Sequence, residues 1–462
     1  MSTTATTYSA TADWAQAEVA NARLGDTRLI KRYAMMLSQM FTHAASSLPQ
    51  TFGCAAAVKA AYNFLSNEAV TATALIAPHA AATRQRCEAE ALVLAVQDTT
   101  EVSFTTLKHT TGLGRLRKHS RGILVHSCLA VSVDGRPLGL LDQHQWTRDS
   151  PEPIASTRRS RPTAEKESQR WIDMITSVEA QLRTPTVVVA DCEADIFDVF
   201  AYQRAAHVEL LIRATHNRKL NGEYQLLHTA IDNAEPLGGM LVELQRTPDR
   251  TARVAGCVVS RISVELQPPH QRRGASVAVT LIHVQEIDPV GKPIDWILAT
   301  TLPVDTLEDA LRIVGYYVTR WVIERFHYTL KSGCQIEKLQ LEEAPRLINA
   351  IALYSVVAWR LLWLNYCARH TPEVSPTMML SQEHLTVLCA DRARKTGKPI
   401  SHSPTIAEAV RWIAQLGGYL ARTSDGPPGV KTLWIGLRRL DALVDGWLLA
   451  QSMISPSLMG NG

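Results

Sequence analysis

The sequence predicts an α/β protein with a β-rich insertion, enclosed between helical segments at its two ends. Short apolar runs typical of buried strands recur at Leu92 to Val96, Ile123 to Val133, Leu138 to Trp146 and Val187 to Ala190. Helical periodicity from Glu165 to Leu182 precedes the last of these, giving the strand and helix alternation of an α/β sheet. From about Arg218 to Pro303, short strand-like runs are broken by Gly238-Gly239, Pro268-Pro269 and Pro289-Val290-Gly291, with no strong helix.

The N-terminal segment, Trp14 to about Asn67, reads as helical. Leu24-Gly25-Asp26 breaks it, after which Ile30, Ala34, Leu37 and Met40 recur at spacings of three and four. Arg23, Arg28, Lys31, Arg32 and Lys59 give this module a basic surface. Leu307 to about Arg369 is again mostly helical, and Thr371 to Thr377 reads as a linker. Amphipathic patterns then run through Ile406, Val410, Ile413, Leu416 and Leu420, and through Leu437, Leu440, Leu443, Val444 and Trp447. They suit packing within the chain or a dimer seam. The implied division is about 1–70, 71–370 with the insertion at 218–303, and 371–462.

Composition narrows the class. With 46% hydrophobic residues over 462 positions, the chain can bury at least one large core, which excludes a mainly disordered protein. A net charge of +4 from 48 basic and 44 acidic residues is too small to indicate nucleic acid, so local clusters must carry that argument. The clusters are Arg115, Arg117, Lys118 and Arg121; Arg158, Arg159 and Arg161; and Arg213, Arg218 and Lys219. The cysteines are scattered singly without zinc-ligand spacing, which points to free thiols in a reducing compartment. Met1 to Ala10 lacks the features of a signal peptide and no uninterrupted apolar run reaches ~18 residues. A cytoplasmic protein without a membrane partner is expected.

Asp98 and Asp191 each follow an apolar strand run, and groups at the carboxyl ends of adjacent strands can converge on one ion or instead cap the next turn. A helix then carries Tyr317, Arg320, Glu324 and Lys331 within roughly a 60° arc at ~100° per residue. Val322, Ile323, Phe326 and Leu330 occupy another arc that anchors it. A solvated salt-bridge stripe has the same geometry. Tyr317 and Trp321 suit a phosphate-rich ligand better, since cations hold its backbone and aromatics hold an unstacked base.

Tyr317, Arg320, Glu324 and Lys331 match the Tyr-x2-Arg-x3-Glu-x6-Lys signature, and the chain resembles the insertion-sequence-four (IS-four) family of cut-and-paste DNA transposases. The resemblance runs from Trp14-Ala15 and Leu24-Gly25-Asp26, through Asp98-Thr99-Thr100, Ser120-Arg121-Gly122, Glu165-Lys166-Glu167-Ser168, Asp191 to Ile196, and Trp296 with Pro303-Val304, to Leu416-Gly417-Gly418. It implies an RNase-H-like catalytic core interrupted by the β-rich insertion, a DNA-binding N-terminal module and a dimerising C-terminal one. It also implies Asp98, Asp191 and Glu324 as catalytic ligands of two Mg²⁺ ions, with Mn²⁺ as a substitute. Tyr317, Arg320 and Lys331 would grip DNA phosphates, and Trp296 would stack a flipped base. Trp321, Arg121, Arg213 and Lys219 are further expected DNA contacts.

The partners implied are double-stranded DNA, as element ends and target, and a second copy of the chain in a synaptic homodimer. The family's route is a nick, a hairpin formed by the released 3′-hydroxyl, reopening by water, and joining to target DNA. Tyr328 and Cys192 depart from the pattern, since a relative carries a basic residue at each of these places. A glycoside hydrolase would also pair carboxylates, but it leaves Arg320 and Lys331 unexplained. The non-enzymatic alternative is an inactive, transposase-derived DNA-binding or inhibitory protein.

Overall fold

The computed structural model describes residues 10–44, 46–117, 120–148, 161–244, 253–270, 274–289, 291, 293–378, 380–400, 402–422 and 425–454. The chain opens with α1 (Ala10–Val19), α2 (Thr27–Thr42), α3 (Leu48–Phe52), α4 (Ala55–Leu65) and α5 (Ala72–Glu88). Gly25, at φ 73°, turns the chain between α1 and α2, and the Asp26 side chain caps α2 by accepting from the Arg28 amide at 2.8 Å. The expected break at Leu24-Gly25-Asp26 is therefore a turn followed by an N-cap.

A sheet follows, with β1 (Val93–Ser103), β2 (Gly114–Arg115), β3 (Arg121–Ser132) and β4 (Pro137–Trp146). Next come α6 (Gln169–Gln181), β5 (Thr186–Ala190), α7 (Phe197–Ala201), β6 (Val208–Ala214), β7 (Leu220–Asn221) and α8 (Leu227–Asp232). Then β8 (Glu235–Leu244), β9 (Arg253–Leu266), β10 (Val277–Glu286) and β11 (Asp295–Thr300) complete it. β4, β3 and β1 are successive antiparallel neighbours, while β1, β5 and β6 are parallel. Beyond β6, the strands β11, β10 and β9 continue antiparallel. The β-rich segment is thus an extension of the same sheet. It also contains one short helix, α8, which its sequence did not suggest because six residues are too few to show a 3.6-residue period.

At its central strands the sheet is buried on both faces, which is why β1, β3 and β5 read as continuous apolar runs. Leu94, Val96, Val187 and Val189 face one hydrophobic cluster, shared with the N-terminal helices and the helices that follow the sheet. Val93, Ala95, Val188 and Ala190 face the other, against α6 with its buried Trp171. The period of two along each strand assigns alternate residues to alternate faces.

After the sheet come α9 (Leu307–Thr319), α10 (Trp321–Tyr328), a π turn (Thr329–Gly333) and α11 (Ala344–His370), then α12 (Gln382–Thr396), α13 (Ile406–Leu416) and α14 (Val430–Ile454). α11 is long and apolar enough to cross a membrane by length and composition, yet it is the core of this fold: Ile351, Leu353, Val356, Leu361 and Leu364 are fully buried. At about 1.5–3 kcal/mol for each such side chain, this helix is a principal source of stability.

The expected apolar stripe ending at Leu420 stops earlier. α13 ends at Leu416, before Gly417-Gly418, and Leu420 is 63% exposed. Gly417 and Gly436 let α13 and α14 cross at backbone contact, since a Cβ on Gly436 would lie 1.7 Å from the Ile413 carbonyl oxygen. Gly436→Ala is expected to cost about 1–3 kcal/mol or more through overpacking. Urea unfolding checks this, and a change within about 0.5 kcal/mol would show that the crossing relaxes freely.

Candidate active site

Val96 of β1 pairs with Val189 of β5 in parallel register, so Asp98 and Asp191 each stand two residues further along neighbouring strands. By the alternation of the pleat, both share the face of Val96 and Val189, against which α10 packs with Ile323 and Phe326 fully buried. α10 carries Glu324 to that same face. Asp191 lies just past the end of β5, as its sequence suggests. Asp98 does not end its strand, because β3 pairs β1 through Ser103 and holds it extended beyond the point where β5 stops.

Each carboxylate has a local partner. Asp98 accepts from the Thr99 amide at 2.8 Å and faces His327 Nδ1 at 3.6 Å. Asp191 accepts from the Glu193 amide at 2.8 Å. Glu324 accepts from Arg320 at 2.7 Å. Among the described residues, no three His, Cys, Asp or Glu side chains are gathered tightly enough to close on a metal ion.

The electrostatics nevertheless join them. Burial raises the Asp191 and Glu324 pKa values, and the charges of the neighbouring carboxylates raise them further. Arg320 opposes this rise at both, and the Glu193 amide also opposes it at Asp191. Burial also acts upward on Asp98, but His327, Arg320 and the Thr99 amide outweigh it and hold that carboxyl below its usual range. This is a half-buried pocket of crowded negative charge with one arginine set into it.

Tyr317, Arg320, Glu324 and Lys331 fall on α9, the junction, α10 and the π turn rather than on one regular helix. The π turn widens the backbone, so the uniform rotation expected from the spacing does not reach Lys331. Lys331 points instead to β1, its Nζ 3.5 Å from Thr100 Oγ1. Tyr317 is buried rather than presented to solvent, packed edge-on against Trp296 of β11 at 5.5 Å with Arg320 5.7 Å from its ring. Trp321 is 41% exposed on the outer side of α10.

A second layer went unread in the sequence. His327 is buried and its Nε2 lies 3.3 Å from Ser127 Oγ, which accepts from Gln143, which in turn accepts from Ser355. Behind Asp98, the Thr99 hydroxyl meets His126 and Arg170, and Arg170 also holds Glu193. The spacing of His327, three residues after Glu324 on one helix, was the signal that marked it.

Three family models match the chain: "Transposase DNA-binding" over residues 11–70, "Transposase DDE domain" over 160–359, and "Transposase Tn5 dimerisation domain" over 356–456. Together the three matches cover most of the chain and fit a Tn5-like transposase of the IS-four family. The fold is a mixed α/β structure with a large sheet. Among solved structures, it is similar at 7% identity and a TM-score of 0.32 to the piggyBac transposase synaptic complex with hairpin DNA, with 79% of this chain and 56% of that one covered. The chain thus spans about half the length of that transposase.

The remaining candidates in this transposase are dispersed. Arg213 on β6 donates to the Asp295 carbonyl at 3.3 Å and also reaches Tyr317, which places it beside the aromatic pair. Arg121 opens β3 and pairs in register with Arg115 of β2, both exposed. Lys219 is exposed next to β7, the strand at the end of the sheet opposite β2. Arg117 is tied to Glu193 at 3.0 Å, and Arg218 is tied to the buried Asp195, so the latter serves the fold. Lys118, Arg158 and Arg159 lie outside the described residues.

Proposed function

We propose that this chain is an active DNA transposase in which Asp98, Asp191 and Glu324 form the catalytic carboxylate triad. The observation that carries the proposal is the parallel register setting Asp98 and Asp191 side by side under the helix that bears Glu324. The strand order β4-β3-β1-β5-β6, antiparallel on one side of β1 and parallel on the other, supports an RNase-H-like core.

The donor set suits a hard divalent cation: three oxygen ligands, partly dry, whose mutual repulsion a cation relieves. Mg²⁺, or Mn²⁺ in its place, two ions to a site, would supply the charge that activates the attacking oxygen and stabilises the leaving one. Glu324 would give up its ion pair with Arg320 to serve there, which frees the guanidinium for a phosphate. Lys331 and Arg320 then neutralise the strand at the scissile position, while Tyr317 and Trp296 offer an aromatic wall to a base turned out of the stack.

In the proposed sequence, water attacks phosphorus and leaves a 3′-hydroxyl. That hydroxyl attacks the opposite strand to close a hairpin, water reopens it, and the 3′ end joins target DNA. The partners are double-stranded DNA and a second copy of the chain, engaged through helices of the C-terminal segment in a synaptic dimer. The setting is the cytoplasm, on the nucleoid when DNA is bound.

The test incubates purified protein with labelled duplexes carrying the DNA ends that flank its gene, with Mg²⁺ or EDTA, and resolves products on denaturing gels. Mg²⁺-dependent nicks and hairpins are expected. Tight binding without cleavage in any metal would overturn the enzymatic reading in favour of a DNA-binding protein. His327→Ala is expected to lower cleavage about 10–100-fold, as loss of a group that orients a ligand does. A Mn²⁺ titration by electron paramagnetic resonance should show weakened binding, and unchanged affinity and rate would remove His327 from the site.

A further inference from the structure

Next to the proposed catalytic helix lies a groove of about 380 Å³ that the transposition mechanism above does not use. Tyr328, Ser332, Gln335 and Lys338 line one wall, and Lys431, Trp434, Ile435 and Arg438 of α14 line the other. Resting on the proposed function, we propose that this groove binds a single-stranded segment of DNA next to the cleavage point, with one unpaired base stacked on Tyr328.

The groove is a built feature. Tyr328 comes one helical turn after Glu324 and is 48% exposed, so one face of its ring is open to a ligand. Behind it stands Trp434, 5.7 Å away between ring centroids and itself buried. Trp434 fits because residue 333 is glycine: a Cβ there would lie 2.8 Å from the indole. The π turn that brings Gly333 to this place and the left-handed Gln335 at φ 50° are both costly backbone choices, of the kind retained at functional sites.

The charge pattern names the ligand. Lys338, Lys431 and Arg438 are all exposed, and none has a carboxylate within salt-bridge range among the described residues. Glu337, beside Lys338, accepts instead from the Ser103 amide at 2.8 Å, and Asp441, three residues after Arg438, is buried and held by His43 and His384. Unneutralised cations around an aromatic platform fit a phosphate backbone whose bases are free to stack. A duplex covers its base faces, so it could use the cations but not Tyr328, and this is what selects a single strand.

The test uses the full chain in EDTA, with an element-end duplex that is either blunt or extended by a short single-stranded tail containing 2-aminopurine. The tail is expected to tighten binding about tenfold and to quench the probe. Tyr328→Phe should keep both effects, and Tyr328→Ala should lose both while binding the blunt duplex as before. Lys431→Ala with Arg438→Ala should flatten the salt dependence of tail binding by about 0.7 per cation removed. A tail advantage that survives in Tyr328→Ala, or an unchanged salt slope, would overturn the proposal. Should Tyr328→Ala fail to fold, the 2-aminopurine signal of the wild-type chain decides the matter, since a tail held by the cations alone leaves its base unstacked and unquenched. A wild-type chain that binds neither duplex would overturn the transposase reading instead.

Discussion

Glu324→Gln and Asp98→Ala are each expected to reduce strand cleavage by at least about 10³-fold while element-end binding persists. The glutamine keeps the shape of the side chain and removes its charge, so the helix stays seated through Ile323, Phe326 and Leu330. What is lost is one of three carboxylates, the one that feels the charges of both aspartates. The variant also releases Arg320 from its 2.7 Å ion pair. Duplex binding at low salt should therefore stay level or tighten, and its salt dependence should steepen. Rates from denaturing gels and affinities from fluorescence anisotropy give both numbers. A Glu324→Gln chain cutting within about tenfold of wild type would remove Glu324 from the triad.

Glu18→Ala is expected to lower stability by about 3–5 kcal/mol, the cost of breaking a buried ion pair from one side. Glu18 on α1 accepts from His79 at 2.5 Å and from Arg86 at 2.7 Å, both on α5. His79 takes the Leu140 amide on its other nitrogen, and burial keeps the ring neutral, so Arg86 is the hydrogen-bonded cation that balances Glu18. Burial pushes the Glu18 carboxyl up, but His79 and Arg86 more than offset it and bring it to about 2 from 4.5. A depressed carboxylate contributes stability above its unfolded pKa. That contribution, about 3 kcal/mol, is whole above pH 4.5 and lost as the pH falls towards about 2. Urea unfolding across that window should show a drop in wild type that Glu18→Gln lacks, and parallel curves would show that Glu18 is not held as described.

The sequence made the strands and the helices legible because apolar period alone decides them, and Asp191 was readable because β5 stops where its valines stop. Asp98 was misplaced at a strand end because nothing in Val96 to Ser103 tells how far β3 will pair. The β-rich insertion was legible from its broken strand-like runs, but not its place in the sheet, because registry between β6 and β11 is not written in either strand. Arg218 belongs to a basic cluster in the sequence, which cannot show that the fold sets it on Asp195, more than twenty residues away. Tyr317 and Lys331 share a face only on a regular helix, and a π turn leaves no trace in residue spacing. His327 follows Glu324 by three residues, which places the two near one another on a helix, but only the fold shows that it meets Asp98.

In the hydrogen-bonded sheet, β1, β5, β6 and β11 are successive neighbours. Trp296 and the two aspartates are therefore points on one stiff plate, with no hinge between them along the ladder. A tool of this kind does not close around what it works on. In the proposed mechanism, the bending needed to present a scissile phosphate at one point and an upturned base at another falls to the duplex, and steps that kink easily should be favoured at the cut even where no side chain reads them.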